Sequence, residues 1–220
     1  MSAGRKKPFM PKIKMPETQA PTKAKKRYTD LGASVTLTLK EGRTFHVSYS
    51  SLVDVDVLGR GQFGVVRKMV HEPSGEQFAV KSLREDLIDS CESRDIEVSI
   101  KLGDKCRNLV RFYGTIFFEG YYMVLTEVMD ASLDAFYLKA FEIKLRLPET
   151  FMAMTGHAVL NALQYMKDYR IMHRDIKPSN VLLNGAGEIK VCDYGISGFL
   201  NNESLCKSFK GCHRYMAVSY

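Results

Sequence analysis

The chain predicts an α+β fold in which an antiparallel sheet comes first and helices follow, and three observations carry that reading. Residues 52–82 alternate apolar and polar positions between glycines, as in Val53-Asp54-Val55-Asp56-Val57, Val65-Val66-Arg67-Lys68-Met69-Val70 and Phe78-Ala79-Val80. That pattern reads as three strands, with a turn at His71-Glu72-Pro73-Ser74-Gly75 between the second and third. Two further β-rich runs, 109–118 and 121–126, flank Glu119-Gly120, a hairpin signal. Residues 148–167 then place Phe151, Met154, Ala158, Ala162, Leu163 and Met166 at helical spacing after a Pro148-Glu149 start, which predicts a core helix. A shorter helical stretch is expected over 90–102.

Composition sets the class. At 220 residues, 45% hydrophobic and 26% charged, the chain can bury a sizeable core, which excludes wholesale disorder. The first thirty residues differ: they hold four of the seven prolines and little apolar periodicity, the composition of a disordered arm. They also hold nine Lys/Arg against two Asp/Glu, leaving 23 of each sign in the remainder, so the net charge of +7 belongs to the arm. No basic patch is left to suggest nucleic acid as a partner. Five cysteines, an odd number without a C-x-x-C pair, fit reduced thiols better than a disulfide frame or a zinc site. No apolar run is long enough to span a bilayer and no signal-peptide core opens the chain, so the expected location is cytoplasmic, with the nucleus as a second compartment.

The chemistry concentrates at residues 173–180, H-R-D-I-K-P-S-N, followed thirteen residues after Asn180 by Asp193-Tyr194-Gly195. Eight residues supply one carboxylate, Asp175, one fixed cation, Lys177, and one neutral oxygen donor, Asn180. In phosphoryl transfer, Asp175 can take a hydroxyl proton while Lys177 steadies the transferred group, and Asn180 with Asp193 can hold Mg²⁺ through hard oxygens. A nucleotide partner is expected upstream. Gly59, Gly61 and Gly64 leave a loop bare of side chains at three places, so its N–H groups can approach phosphate oxygens. Ala79-Val80-Lys81 follows, with Lys81 as a cation on a strand that otherwise faces a core; such an ammonium needs a carboxylate partner.

In this order and at these intervals, the motifs resemble the eukaryotic protein-kinase signature set, over a stretch from Leu52 to the C-terminus. Three strings are similar to the MAP kinase kinases, particularly their stress-responsive branch: E-V-M-D-A-S-L-D-A-F-Y from Glu127, K-V-C-D-Y-G-I-S-G from Lys190 and G-C-H-R-Y-M-A from Gly211. The resemblance implies a kinase N-lobe over 52–126, then a hinge and partial C-lobe over 127–220. It implies ATP and Mg²⁺ as cofactors, with the nucleotide held by Leu58, Gly59, Gly61, Gly64, Val66, Ala79, Lys81 and the hinge residues Glu127 and Met129. Phe63 would cap the nucleotide. Thr126 occupies the gatekeeper position, where this family usually carries Met. Register against the family points to Asp95 as the partner of Lys81, with Glu97 as the alternative; two residues apart on a helix point about 200° apart, so only one can face it. His173 is implied to be structural, packing against the residue that is here Tyr194.

The resemblance also implies regulation and partners. Ser204 and Ser208 keep the spacing of the family's two activating phosphosites, although an ungapped alignment from Gly211 would place those sites on Glu203 and Lys207. Arg5, Lys6 and Lys7, followed by Ile13 and Met15, resemble the MAP kinase docking motif; a solvated basic tail or a nuclear-import signal is the alternative. The implied activity is dual-specificity phosphorylation of Thr and Tyr in a stress-activated MAP kinase, under an upstream MAP kinase kinase kinase. After Met216-Ala217 the family continues Pro-Glu whereas this chain reads Val218-Ser219-Tyr220, which implies a C-terminally truncated kinase and, as the alternative function, a non-catalytic protein that docks on a MAP kinase and competes with complete enzymes.

Overall fold

The computed structural model describes residues 33–38, 42–61, 64–84, 92–102, 104–193, 198–199 and 215. The docking residues Arg5, Lys6, Lys7, Ile13 and Met15 lie outside them, as do Phe63, Tyr194, Ser204 and Ser208.

The expected strands form one five-stranded antiparallel sheet: β3 (Leu52–Gly61), β4 (Gly64–His71), β5 (Gln77–Arg84), β6 (Phe112–Phe118) and β7 (Tyr121–Thr126), in the order β3-β4-β5-β7-β6. Its turns follow from local chemistry. Glu119 (φ 47°) and Gly120 (φ 78°) both take positive φ, as a tight hairpin requires, and Gly75 (φ 73°) closes the turn in which its N–H meets His71 O at 2.8 Å. A hairpin that the sequence reading left unassigned precedes the sheet: β1 (Ser34–Thr38) pairs with β2 (Thr44–Ser48) and buries Leu37 and Val47 with Leu52, Met69, Phe78, Val80, Ile116, Met123 and Leu125. Its approach to β6 is close. A Cβ on Gly114 would lie 2.6 Å from Val35 Cγ2.

Helix α1 (Glu92–Leu102) sends Val98 and Leu102 into a second core with Leu109, Ala162, Met166, Ile171 and Val191. The hinge leads through β8 (Ala131–Ser132) into α2 (Leu133–Glu142), and α3 (Glu149–Asp168) follows, opened by Pro148 with Glu149 in its first turn and closed with Lys167 in its last, each complementing the helix dipole. Of the positions expected in the core of α3, Ala158, Ala162 and Met166 are buried, whereas Met154 is 56% exposed. This corrects the periodicity reading: methionine at helical spacing also fits the margin of a stripe. Four further short strands lie among the described residues: β9 (Ile171–Met172), β10 (Val181–Leu183), β11 (Ile189–Val191) and β12 (Gly198–Phe199). β11, β10 and β8 make one small sheet and β12 with β9 another, so the catalytic-type loop leaves β9 and returns through β10.

Candidate active site

Strand register fixes Lys81. In the middle of β5 it pairs with Val66 on β4 and Val124 on β7, and its Nζ lies 3.1 Å from Asp193 Oδ1, with the two side chains 18% and 28% exposed. An enclosed ammonium is tolerated only beside a carboxylate, and Asp193 meets that need from 112 residues away in the chain. Register against the family points to α1 for a partner as well. The side chain of Asp95 lies outside the described residues; Glu97 stands on the side of α1 that also carries the exposed Ile100 and Lys101.

The loop between β9 and β10 is laced onto the residue before Asp193. His173, 1% exposed, places Nε2 3.0 Å from Cys192 O, and its Nδ1 accepts the Asp175 N–H at 3.2 Å. A carbonyl only accepts and a backbone N–H only donates, so the neutral imidazole with its proton on Nε2 satisfies both bonds. Asn180 completes the hold, because its carbonyl accepts the Cys192 N–H at 3.0 Å. Cys192 is thus gripped through both backbone groups. Asp193 follows with φ 63° and Arg174 has φ 69°; a left-handed conformation costs a non-glycine residue about 1–2 kcal/mol, which the surrounding bonds sustain.

Within the loop, Asp175 is 7% exposed and its Oδ2 receives both Lys177 Nζ at 2.6 Å and Asn180 Nδ2 at 3.0 Å. Asn180 Nδ2 also donates to Asp175 O at 2.8 Å, which settles the orientation of the amide and leaves Oδ1 as its hard oxygen donor. A neutral amide oxygen and the Asp193 carboxylate are a donor set that suits Mg²⁺, so these residues fit the expected cation. Oδ2 of Asp175 being committed, Oδ1 is the oxygen left for a hydroxyl proton.

On the nucleotide side, Gly59 joins the sheet opposite Val66 after a register shift, and a Cβ there would meet nothing within 4 Å. Packing among the described residues therefore does not demand this glycine. Gly61 and Gly64 pair at the end of the β3–β4 hairpin; Ala79 and Met129 are buried, Val66 is half-buried, and Leu58 is 40% exposed. Thr126 pairs with Ala79 and donates from Oγ1 to Ala79 O at 3.3 Å, so the gatekeeper hydroxyl is turned onto the sheet. Glu127, expected to offer backbone groups to the adenine, also has its side chain engaged. Its carboxylate binds Lys190 Nζ at 2.8 and 2.7 Å and accepts the Arg111 N–H at 2.6 Å, and its own N–H donates to Arg111 O at 3.0 Å, so its backbone carbonyl is the group left to serve as hinge. Sequence reasoning missed Lys190 as a site-linked residue; the available signal was a lysine between Ile189 and Val191 in an apolar strand.

The family model of the protein kinase domain matches residues 52–219. The chain belongs to this family. The chain is 39% identical over 180 residues to the dual specificity mitogen-activated protein kinase kinase sek-1 of Caenorhabditis elegans, covering 80% of this chain and 53% of that protein. It is 39% identical over 177 residues to MAP kinase kinase mkk-4 of the same organism, covering 77% and 48%, and 37% identical over 179 residues to protein kinase wis1 of Schizosaccharomyces pombe, covering 80% and 29%. The chain thus spans about half the length of the two nematode relatives and less of the yeast one. Among the described residues of the kinase domain, no helix is long and apolar enough to cross a membrane.

Proposed function

We propose that this protein is a dual-specificity MAP kinase kinase that transfers the γ-phosphate of ATP to Thr and Tyr of a MAP kinase activation loop in a stress-signalling cascade. The observation that carries the reading is the paired grip on two carboxylates: Asp175 held by Lys177 and Asn180, and Asp193 facing Lys81. Names of relatives support the MAP kinase kinase class, and the strings from Glu127, Lys190 and Gly211 support the stress-responsive branch.

The residues divide the work by position. Asp175 takes the proton from the acceptor hydroxyl as that oxygen bonds to the γ-phosphorus and the bond to the bridging oxygen of ADP breaks. Lys177, 2.6 Å from Asp175, steadies the transferred phosphoryl, and Lys81 orients the phosphates at the other end of the site. Mg²⁺ held by Asn180 and Asp193 would supply charge neutralisation at the phosphate oxygens. Hinge backbone at Glu127 and Met129 holds the adenine, and Leu58, Val66 and Ala79 enclose it. Ser204 and Ser208 receive phosphate from an upstream MAP kinase kinase kinase, the N-terminal cluster docks the substrate, and the protein acts in the cytoplasm and the nucleus.

Radiolabelled phosphate transfer to a purified MAP kinase tests this. The wild-type chain should label both Thr and Tyr, and Asp175→Asn should reduce transfer by about 10²-fold or more while leaving ATP affinity nearly unchanged, because the base meets the acceptor hydroxyl and not the nucleotide. Equal transfer by Asp175→Asn and wild type would overturn the assignment.

A further inference from the structure

Lys190 is 3% exposed at the centre of β11, between the buried Ile189 and Val191. Its ammonium sits between both oxygens of Glu127, at 2.8 and 2.7 Å, with Glu188 Oε2 at 3.5 Å. Glu127 is held on every side: its Oε1 also accepts the Arg111 N–H, and its own N–H donates to Arg111 O at 3.0 Å. The next links are backbone. Val110 N–H donates to Val191 O at 2.9 Å and Val191 N–H to Asn108 O at 2.8 Å, so residues 108–111, the start of the hinge and β11 form one closed ring of bonds. Asp193 lies three residues beyond Lys190, and Met129 two residues beyond Glu127.

We propose that Lys190 is a positioning residue whose ion pair with Glu127 latches the hinge to the strand that leads into Asp193, and so sets the adenine end of the site against its metal end. The inference rests on the nucleotide reading given above. A buried ion pair is poor support for net stability, because desolvation of the two charges offsets much of their attraction, and apolar residues of similar size would serve as well. What apolar residues do not provide is direction: a carboxylate fixed by two lysine contacts and one backbone N–H admits one register between hinge and β11.

The test compares two ligands on the full chain. Adenosine reports the hinge alone, and ATP with Mg²⁺ reports hinge and Asp193 together. Lys190→Met should lower affinity for Mg²⁺·ATP about tenfold more than affinity for adenosine, equivalent to about 1.4 kcal/mol of lost coupling, and Lys190→Arg should recover most of it. The double variant Lys190→Met/Glu127→Gln leaves no buried charge unpaired and keeps an acceptor for the Arg111 N–H; it should melt near wild type and still lack the coupling. Equal losses for both ligands, or a double variant that restores the tenfold difference, would reduce Lys190 to a packing role and overturn the proposal. Hydrogen exchange without ligand supplies a readout independent of nucleotide binding: Lys190→Met should speed exchange in residues 127–130 and 189–193 together while β4 is unchanged. A wild-type chain that binds neither ligand would sink the proposed function; the latch is then decided by exchange alone, and is overturned if either segment exchanges as in wild type.

Discussion

Replacing His173 by leucine should cost this fold a large part of its stability while leaving the shape of the site's interior nearly unchanged. The imidazole is 1% exposed, and leucine has a similar volume but neither donor nor acceptor. Two backbone groups lose their partners: Cys192 O, which now faces Nε2 at 3.0 Å, and the Asp175 N–H, which now meets Nδ1 at 3.2 Å. Each polar group left buried and unpaired costs about 1–3 kcal/mol, so the sum is about 2–6 kcal/mol. Cys192 is only half-buried, and water reaching its carbonyl would place the loss toward the lower end of that range. Against a net stability of about 5–15 kcal/mol even the lower end is substantial. Urea denaturation reads it directly, since a loss of 3 kcal/mol at an m-value of about 1–3 kcal/mol/M moves the midpoint by about 1 M or more. His173→Gln retains a donor and an acceptor and should recover part of the loss. A leucine variant within about 0.5 kcal/mol of wild type, or a glutamine variant no better than leucine, would refute the view that these two bonds tie the catalytic-type loop to the strand before Asp193.

Three other outcomes follow from packing and burial. Gly114→Ala should destabilise the N-lobe by about 1–3 kcal/mol, because its Cβ would sit 2.6 Å from Val35 Cγ2 and valine is stiff about χ1; the added change Val35→Ala should return most of the loss in a thermal melt. Met166→Ala should cost about 2–5 kcal/mol, since Met166 is fully buried where α1, α3 and β11 meet, and a denaturation midpoint equal to wild type would contradict that core. Burial raises the Tyr113 hydroxyl above its ordinary value of 10.0, with Arg111 opposing and Glu127 and Glu76 adding to the rise. The folded state therefore holds this proton more tightly than the unfolded state; the stability it contributes is present below about pH 10 and is lost as pH rises through the folded value. Wild type should accordingly lose stability relative to Tyr113→Phe as pH climbs above 10, and a constant difference between their melts would show the assignment to be wrong.

The main sheet was legible because its strands alternate cleanly and glycines mark their ends, so β3 to β7 follow from pattern alone. The β1–β2 hairpin was not, although its two five-residue strands also alternate. Two short strands are marginal by themselves, and this pair is stabilised by placing Leu37 and Val47 into a core built by residues far along the chain. Helix α2 escaped for a different reason. Leu133, Phe136 and Ala140 turn toward the core, but Tyr137, Leu138 and Phe141 are more than half exposed, so apolar residues lie on both sides of the helix and the buried stripe does not stand out in the sequence. The misplaced Met154 of α3 is the same effect in a helix that was otherwise read correctly.

Lys81 and Lys190 show where reading of the site stops. Both are lysines in apolar strands, and both carry the same physical demand for a carboxylate. For Lys81 the motif pattern points to α1, whose Asp95 side chain lies outside the described residues, and among the described residues Asp193 is a further carboxylate at its ammonium. Asp193 was expected to hold a cation, and the structure gives its carboxylate a second relation that spacing alone did not reveal. Lys190 belongs to no short motif, and its partner Glu127 lies 63 residues earlier, in a segment where attention falls on backbone groups because the hinge offers those to a nucleotide. A side chain's role there depends on which strand of the small sheet lies beside it, and that follows from how β11, residues 108–111 and the hinge close on one another. Charge in an apolar strand thus announces that a partner exists. Only the packing of distant segments says which carboxylate it is, and whether the pair acts on chemistry or on the alignment of the parts that perform it.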